Sequence, residues 1–493
     1  MKLYLIGHDC KYAVEQMLLT MYPNERPEYP EGDPTGDCVV ISFIRGKQLS
    51  TARCVIYSGS DRYRGAASVS EKDLTADALS LSRHFQRIVK LAFYRAAVRH
   101  LGQKPAWGAL TGIRPATLMT RLLQEGLSSR AAITEFSKRY DTDRDKSQLC
   151  MFAAKAGLRV RENLSPRDIC LYVGIPFCPT RCTYCSFVSQ SVAKSMHLVE
   201  PFLEALFRDI EATAHIVQAL DLHVVSIYIG GGTPTTLSPD QLNLLCTQLE
   251  GAFDLSHLLE YTVEAGRPDT ITAEKMVILH EHGVDRVSIN PQSMNDDVLK
   301  NIGRNHTAQD IIDAVRIVKS VGGFVINMDL IAGLPGDSEA SWSHSLSEVF
   351  ALEPQNITVH TLAHKKGSAI TVAGTDHSPV RTVGKMLLET HNRMMNLGYF
   401  PYYLYRQKFT PGGFENVGWC RKGYENRYNV CIMEELCSIL AMGGGASTKL
   451  VSPTGRIERI ISPKYPQEYI AGVDKICSDK NKIKEFYNAI SAE

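Results

Sequence analysis

The sequence predicts an α/β protein built around an incomplete (β/α)6 barrel of the TIM-like type. From about residue 168, short runs of β-branched and apolar residues alternate with amphipathic helical segments, and six such units follow one another. The runs predicted as strands are 169–174, 224–229, 260–265, 285–290, 324–330 and 355–360. The helical segments between them are 201–220, 239–253, 272–282, 308–321 and 338–352. Six right-handed units close only partly into a barrel and leave one side open to a large substrate, and a flat doubly wound sheet is the alternative.

The segments on either side of the barrel have different patterns. Residues 1–165 mix short strand-like runs with a long helical segment, which predicts a separate α+β domain of unknown role. The alternation stops after about residue 367, and the chain beyond is irregular and rich in aromatic residues and glycine. We therefore expect three domains: 1–165, a barrel over 166–375, and a C-terminal module over 376–493.

Composition argues against several classes of protein. The 54 Lys and Arg against 53 Asp and Glu give a net charge of +1, which provides no global field to attract nucleic acid or an anionic membrane. The first apolar run is interrupted by His8 and Asp9 and is too short for a signal peptide or a membrane span. We therefore expect a cytoplasmic protein whose 13 cysteines stay reduced unless they bind metal.

Three cysteines lie in one loop directly after the first predicted strand. Cys178, Cys182 and Cys185 have the spacing C-x3-C-x2-C. Thiolates are ligands of iron–sulfur clusters, and three of them leave one iron of a cubane free for another ligand. A structural zinc site is the competing interpretation, but it is closed by four ligands and the loop has no fourth Cys or His nearby. The pattern therefore predicts a [4Fe–4S] cluster.

A second group of cysteines lies near the C-terminus. Cys420, Cys431 and Cys437 have irregular spacing. We interpret them as buried or surface thiols rather than as ligands of a second cluster.

Glycines and polar residues follow the other predicted strands. The sequence Gly-Gly-Gly-Thr at 230–233 follows the second strand, and glycines there allow backbone atoms to pack directly on a ligand or to form a tight turn. Glu264 ends the third strand, Gln292 follows the fourth, and Asp329 lies near the end of the fifth. Each side chain alone is compatible with a helix cap or a surface turn. Because the carboxyl ends of parallel strands share one mouth, together they predict a ligand site there.

The cysteine loop, with Tyr184 before the last cysteine, resembles the signature of the radical S-adenosylmethionine (radical SAM) superfamily. The resemblance implies that Cys178, Cys182 and Cys185 hold the cluster and that the amino and carboxylate groups of S-adenosyl-L-methionine chelate the free iron. An electron from the reduced cluster then cleaves the sulfonium to methionine and a 5′-deoxyadenosyl radical. The protein has to bind and orient these cofactors and exclude water and oxygen.

The sequences of four segments indicate a more specific family within this superfamily. Residues 172–178, 230–235, 327–335 and 362–364 are similar to the oxygen-independent coproporphyrinogen III oxidase family, and the long N-terminal region resembles its HemZ-type branch. The family implies anaerobic oxidative decarboxylation of coproporphyrinogen III propionates to vinyl groups, which gives protoporphyrinogen IX in porphyrin and haem biosynthesis. The implied contacts to S-adenosylmethionine are Tyr172, Tyr184, Gly231, Gly232, Thr233, Glu264, Gln292, Arg304, Asp329 and Ala363. By charge, Glu264 suits the methionine ammonium, Arg304 its carboxylate and Asp329 a ribose hydroxyl.

One position departs from the family pattern and keeps two alternatives open. The well-characterised decarboxylases have a further Cys two residues after the third ligand, where this chain has Phe187, as do related haem chaperones. The alternatives are a haem-binding chaperone or trafficking protein that retains the cluster, and a radical SAM enzyme that acts on another tetrapyrrole. The expected partners are a tetrapyrrole and an electron donor such as flavodoxin or ferredoxin.

Overall fold

The computed structural model describes residues 1–70, 78–185, 190–191, 195–363, 379–407 and 410–491. The chain forms two compact units, Met1–Met151 with Arg406–Phe414 and Phe152–Tyr405 with Glu415–Glu493. The three domains expected from the sequence stay a prediction, because compactness alone does not establish which segments fold independently. In the described ranges, no helix combines the length and the apolar character that a membrane crossing requires.

The first unit contains a four-stranded sheet with the order β1-β2-β3-β4. Its first elements are Leu3–Ile6 (β1), Lys11–Met21 (α1), Cys38–Ile44 (β2), Leu49–Ser58 (β3), Asp61–Ser70 (β4) and Ala78–Leu101 (α2). Buried and more exposed residues alternate along β3, as expected for a strand with one face on the core. A Cβ atom at Gly65 would collide with the backbone of Ala92. Helix α2 therefore lies directly on β4, which explains the glycine in a strand interior.

Three helices complete the first unit. They are Pro115–Gln124 (α3), Ser129–Tyr140 (α4) and Arg144–Glu162 (α5), the last of which continues into the second unit. Ser128 caps α4, since its Oγ accepts a hydrogen bond from the backbone N–H of Ala131 at 3.3 Å. The Arg406 guanidinium donates to the carbonyl oxygens of Leu110 and Gly413 and lies 5.2 Å from the ring centroid of Trp107. Arg406 thereby fastens its own segment to the loop that precedes α3.

The second unit is built on an 11-stranded sheet in which seven neighbouring strands are parallel, namely six barrel strands and one strand from the C-terminal region. In chain order, the strands as far as the last barrel strand are Asp168–Ile175 (β5), Phe177–Cys178 (β6), Gln190–Ser191 (β7), His223–Gly231 (β8), Glu260–Glu264 (β9), Arg286–Ser288 (β10), Val325–Ala332 (β11) and Asn356–Thr361 (β12). The six barrel strands have the order β5-β8-β9-β10-β11-β12, while β6 and β7 form a separate two-stranded sheet. All six predicted strands are confirmed, in the sequential order of an incomplete (β/α)6 barrel.

Helices connect these strands as predicted. They are Val199–Ala219 (α6), Pro239–Ala252 (α7), Ala273–Glu281 (α8), Asp296–Asn301 (α9), Ala308–Val321 (α10) and Glu339–Ala351 (α11). The start of α10 is set by a capping box: the backbone N–H of Asp310 donates to Thr307 Oγ1 at 3.3 Å, and the Thr307 N–H donates to the Asp310 carboxylate at 2.7 Å. The short α9 was not predicted, because six residues are too few to show a helical period.

The C-terminal strands extend the sheet at both edges. They are Phe400–Arg406 (β13), Glu415–Cys420 (β14), Ser438–Gly443 (β15), Ser447–Val451 (β16) and Ile457–Ile461 (β17). Strand β14 pairs antiparallel with β12, and β15 pairs parallel with β5. The C-terminal region is thus part of the same sheet as the barrel strands, whereas the sequence predicted only a module packed against them.

A buried charge joins the C-terminal helices to the sheet. The helices of this region are Val380–Asn396 (α12), Arg427–Glu434 (α13), Pro466–Ala471 (α14), Val473–Asp479 (α15) and Asn481–Ser491 (α16). Asp209 on α6 is fully buried and lies 2.9 Å from the Lys480 ammonium. Its other oxygen accepts hydrogen bonds from the Tyr469 hydroxyl at 2.7 Å and from the Gly443 N–H at 3.1 Å. One carboxylate therefore fixes the end of β15, which is the neighbour of β5.

Candidate functional site

The cysteine loop begins where β5 ends. Cys178 lies in β6, and its Sγ is 3.5 Å from the hydroxyl of Thr233, which follows β8. The backbone N–H of Cys185 donates to the carbonyl of Cys182 at 3.2 Å, so the loop turns between these two ligands. Cys178, Cys182 and Cys185 are half-buried residues, unlike the buried cysteines of the strands and helices such as Cys170 and Cys246.

Two buried guanidinium groups surround Cys182. Arg267 is 3 % exposed, and its Nη1 lies 3.7 Å from the Cys182 sulfur and 3.0 Å from the hydroxyl of Thr180. Arg304 also interacts with Cys182, and its Nη2 donates to the Tyr184 hydroxyl at 3.1 Å. Arg267 is already paired with the Asp269 carboxylate, whose oxygens lie 3.1 Å from its Nε and 3.2 Å from its Nη2, and thiolates bound to iron would add further negative charge beside both arginines. The charge of this pocket therefore fits an anionic cluster.

His306 lies on the same side of the loop as the two arginines, but it is neutral. Burial, followed by the charges of Arg304 and Arg267, lowers the pKa of His306 to about 3. Neither ring nitrogen has a hydrogen-bond partner among the described residues. Sequence reasoning missed both His306 and Arg267, although Arg267 follows Glu264 by three residues at the end of a predicted strand. That position was the signal that could have identified it.

The glycine turn after β8 packs against the cysteine loop. The N–H groups of Gly232 and Thr233 donate to the carbonyls of Ile175 and Phe177, each at 2.7 Å. Gly231 has φ +102°, and a Cβ atom at Gly232 would collide with the Phe177 carbonyl oxygen. The described contacts show why glycine is required, namely close approach of two backbones. Contact of Gly231, Gly232 and Thr233 with S-adenosylmethionine stays a prediction.

Glu264, which ends β9, and Asp329, which lies within β11, form an acidic pair. Burial, and after it the charge of Asp329, raises the pKa of Glu264 to about 7. The Tyr228 hydroxyl donates to Glu264, and the Asn290 amide donates to it at 3.0 Å. Asp329 accepts a hydrogen bond from the Asn327 amide at 2.9 Å. A cationic ligand placed here would favour ionised Glu264, which is consistent with the predicted contact to an ammonium group.

Gln292 links the fourth and fifth strands of the barrel. Its N–H donates to the Asp329 carbonyl at 2.8 Å, and its carbonyl accepts from the Ile331 N–H at 3.0 Å. The residue has φ +66°, in the left-handed region that side chains rarely adopt. The backbone around Asp329 is therefore held by both neighbouring strands.

The remaining predicted residues have different surroundings. Tyr172 on β5 stacks on Tyr228 and Tyr428, with ring centroids 6.3 and 6.0 Å apart, so its described contacts are aromatic. Ala363 follows β12 at the same mouth, whereas His364 and Phe187 lie outside the described residues. The structure thus places Gly231 and Glu264 at strand ends, whereas Tyr172 and Asp329 lie within strands and Arg304 follows α9. The contacts of all predicted residues with S-adenosylmethionine stay predictions.

An incomplete parallel barrel with three half-buried cysteines after its first strand defines a radical SAM protein. The profile of the Radical SAM superfamily matches residues 172–349. This superfamily uses a [4Fe–4S] cluster and S-adenosylmethionine, and the half-buried thiols beside buried guanidinium groups fit that cofactor pair.

The chain belongs, within this superfamily, to the HemZ-type family of enzymes similar to oxygen-independent coproporphyrinogen III oxidase. It is 38% identical over 397 residues to the "Oxygen-independent coproporphyrinogen-III oxidase-like protein HemZ" of Bacillus subtilis (strain 168), with 78% of each chain covered. It is also 28% identical over 314 residues to the "Heme chaperone HemW" of Haemophilus influenzae, covering 63% of this chain and 78% of the chaperone. The structure of Escherichia coli coproporphyrinogen III oxidase (HemN), described as a radical SAM enzyme, matches with a TM-score of 0.52 at 21% identity, covering 65% of this chain and 72% of that one. At this identity, the match to HemN supports the fold alone.

Proposed function

We propose that the protein is a radical SAM oxidoreductase that decarboxylates the propionate side chains of coproporphyrinogen III to vinyl groups. The observation that supports this most is the 38% identity to HemZ over 78% of both chains. The family reaction removes a hydrogen atom from the β-carbon of a propionate, after which CO2 and one electron leave and a vinyl group remains. The cluster with S-adenosylmethionine supplies the radical that takes the hydrogen atom.

The described residues have distinct roles in this proposal. Cys178, Cys182 and Cys185 would hold the cluster, and the Arg267 guanidinium would stabilise the thiolate charge at Cys182. Glu264 would accept the methionine ammonium, a contact that shifts its raised pKa back towards ionisation. Asp329, held by the Asn327 amide, would accept a ribose hydroxyl.

Arg304 has two described hydrogen bonds at this site in addition to the carboxylate contact predicted from its charge. Its Nη1 donates to the Asn290 carbonyl at 2.6 Å and its Nη2 to the Tyr184 hydroxyl at 3.1 Å. Both terminal nitrogens already have partners, which favours a positioning role for the cysteine loop. Contact with the methionine carboxylate stays the alternative, because the guanidinium has five N–H donors and its buried Nε has no hydrogen-bond partner among the described residues.

Anaerobic turnover tests the proposal. Holoenzyme reconstituted with iron and sulfide is mixed with S-adenosylmethionine, a chemical reductant and coproporphyrinogen III, and both 5′-deoxyadenosine and protoporphyrinogen IX are measured. Loss of two CO2 units from the porphyrinogen, seen by mass spectrometry, supports decarboxylation. 5′-Deoxyadenosine without a decarboxylated product would leave the radical SAM assignment standing and remove the substrate.

The second candidate function is haem binding for delivery to another protein. The match to HemW chaperones favours it, as does Phe187 in the sequence. Stoichiometric haem binding by the holoprotein, without decarboxylation of coproporphyrinogen III, would select this candidate. A different tetrapyrrole substrate would instead give a product with another mass change, such as added methyl groups.

Partners and domain roles complete the proposal. Reduction of the cluster needs an electron donor of the flavodoxin or ferredoxin kind. Residues 1–165 are proposed as a separate domain, with the catalytic barrel in 166–375 and the C-terminal module in 376–493. Turnover with flavodoxin or ferredoxin in place of the chemical reductant tests the first point, and limited proteolysis tests the second.

A further inference from the structure

Three thiols outside the cysteine loop converge in the second unit. The sulfurs of Cys170, Cys431 and Cys437 all lie within 4.8 Å of one another, and all three residues are buried. The sulfurs of Cys170 and Cys437 are 3.7 Å apart. In the part of the chain that the structure describes, this is the one group of three or more Cys, His, Asp or Glu side chains whose ligand atoms lie so close together. Cys420, which the sequence analysis grouped with Cys431 and Cys437, does not belong to it.

Backbone pairing fixes the positions of these three cysteines. Cys170 lies in β5 opposite Ile439 of β15, and Cys437 directly precedes β15. Cys431 lies in α13, and the chain turns back after this helix at Glu435, which has φ +56°. The Lys449 ammonium holds that turn by donating to the Ile432 carbonyl at 2.8 Å. The thiols therefore meet because three separate elements are locked together.

The sulfur separation matches that of a single tetrahedral or trigonal metal ion. Two thiolates at about 2.3 Å from one zinc ion are about 3.8 Å apart at the tetrahedral angle, close to the separation of Cys170 and Cys437. Thiolates select thiophilic ions such as Zn²⁺ and Cu⁺ over magnesium, calcium or manganese. Arg427 supplies positive charge near the thiols, because it lies one helical turn before Cys431. Its buried Nη1 has no hydrogen-bond partner within the described ranges.

We propose that Cys170, Cys431 and Cys437 bind one thiophilic d10 metal ion as three thiolates, either Cu⁺ in trigonal coordination or Zn²⁺ with a water molecule as the fourth ligand. Binding releases the thiol protons to solvent, so no oxidant or reductant is needed. The ion would tie α13 and the start of β15 to β5, the strand that leads into the cluster loop. This site is structural, and it does not depend on the proposed reaction.

The test uses the full chain with Cys178, Cys182 and Cys185 all replaced by Ser, so that iron in the cluster does not interfere. The metal-free protein is titrated anaerobically with Co²⁺, and thiolate-to-cobalt charge-transfer absorption is followed. We expect one Co²⁺ per chain, with displacement by Zn²⁺ or by Cu⁺. The ion that removes the cobalt absorption at the lower concentration identifies the preferred metal.

Alanine variants and a matched control assign the signal. Cys170→Ala, Cys431→Ala and Cys437→Ala should each weaken binding by more than about 10-fold. Cys246→Ala should leave it unchanged, since Cys246 is a buried thiol whose described side-chain contact is the Tyr261 hydroxyl, 3.6 Å away. If an alanine variant does not fold, the loop-serine parent alone still gives an answer, because a bound ion raises its unfolding midpoint.

Three results would overturn the metal site. The first is a parent protein that binds neither Zn²⁺ nor Cu⁺ and whose unfolding midpoint neither ion moves. The second is cobalt absorption that persists after all three cysteines are replaced. The third is a disulfide between Cys170 and Cys437 in anaerobically purified, non-reduced protein, detected by peptide mass mapping.

Discussion

The buried ion pair between Asp209 and Lys480 gives the sharpest prediction about stability. Their charged atoms are 2.9 Å apart, and the side chains are 0 % and 4 % exposed. At an effective dielectric constant of about 20, two unit charges at this distance attract by roughly 6 kcal/mol. Desolvation offsets much of that attraction, so the pair itself adds little, whereas removing one partner leaves a buried charge and costs about 3–5 kcal/mol.

We therefore expect Asp209→Asn to destabilise the second unit by about 3–5 kcal/mol, and Asp209→Asn with Lys480→Met to recover much of that loss. A Trp107→Phe background confines tryptophan fluorescence to this unit, because the other two of the three tryptophans are Trp342 and Trp419. Denaturant unfolding followed by this fluorescence measures both variants.

The exposed pair between Lys482 and Asp479 provides the control. Lys482 is 56% exposed, so Lys482→Met should cost less than about 1 kcal/mol. A loss below about 1 kcal/mol for Asp209→Asn, or equal losses in the single and double variants, would refute the uncompensated-charge explanation.

Three further predictions concern the candidate site. Arg267→Gln removes a buried cation from Cys182 and should lower iron retention about 10-fold under chelator challenge. Replacement of an exposed arginine, Arg316→Gln, should not change retention, and equal retention in the two variants would contradict a role for Arg267. Glu264 has a pKa raised from 4.5 to about 7, so between these pH values the folded state holds a proton that the unfolded state loses, and the free energy of unfolding should fall as pH rises. Glu264→Gln should reduce this pH dependence in denaturant melts. An unchanged pH dependence would show that another group titrates. Gly232→Ala forces a Cβ atom against the Phe177 carbonyl and should lower the free energy of unfolding by about 1–3 kcal/mol with loss of the cluster. Gly251→Ala, at a position with open space, should not lower it in the same melts. An unchanged stability of Gly232→Ala would show that the two backbones do not need this close contact.

The local sequence pattern was sufficient to predict much of the barrel. The alternation of β-branched runs and helices placed all six strands, because a parallel strand buried on both faces is a short apolar run. The bounds 308–321 of α10 were predicted from the amphipathic pattern, and the structure adds the reason for its start, a capping box between Thr307 and Asp310. The spacing of Cys178, Cys182 and Cys185 indicated the cluster for a similar reason, since the ligands share one loop.

Contacts between segments that are distant in the sequence could not be predicted from local patterns. Cys170 and Cys437 are 267 residues apart, so their convergence depends on the pairing of β15 with β5, which no local period shows. The same holds for the strands that extend the sheet at its edges. The position of Arg267 after a predicted strand places it at the ligand-binding edge, but it was missed because its contact with Cys182 depends on how the cysteine loop folds.

Assembly of the cluster on the full chain tests the central claim most directly. After anaerobic reconstitution with iron and sulfide, we expect about four iron and four sulfide per chain and the electron paramagnetic resonance signal of a reduced [4Fe–4S] cluster, altered when S-adenosylmethionine is added. Replacing Cys178, Cys182 and Cys185 by Ser should abolish the signal, while replacing Cys170, Cys431 and Cys437 by Ala should retain it in folded protein. A signal that survives loss of the loop cysteines, or fails to respond to S-adenosylmethionine, would contradict the account.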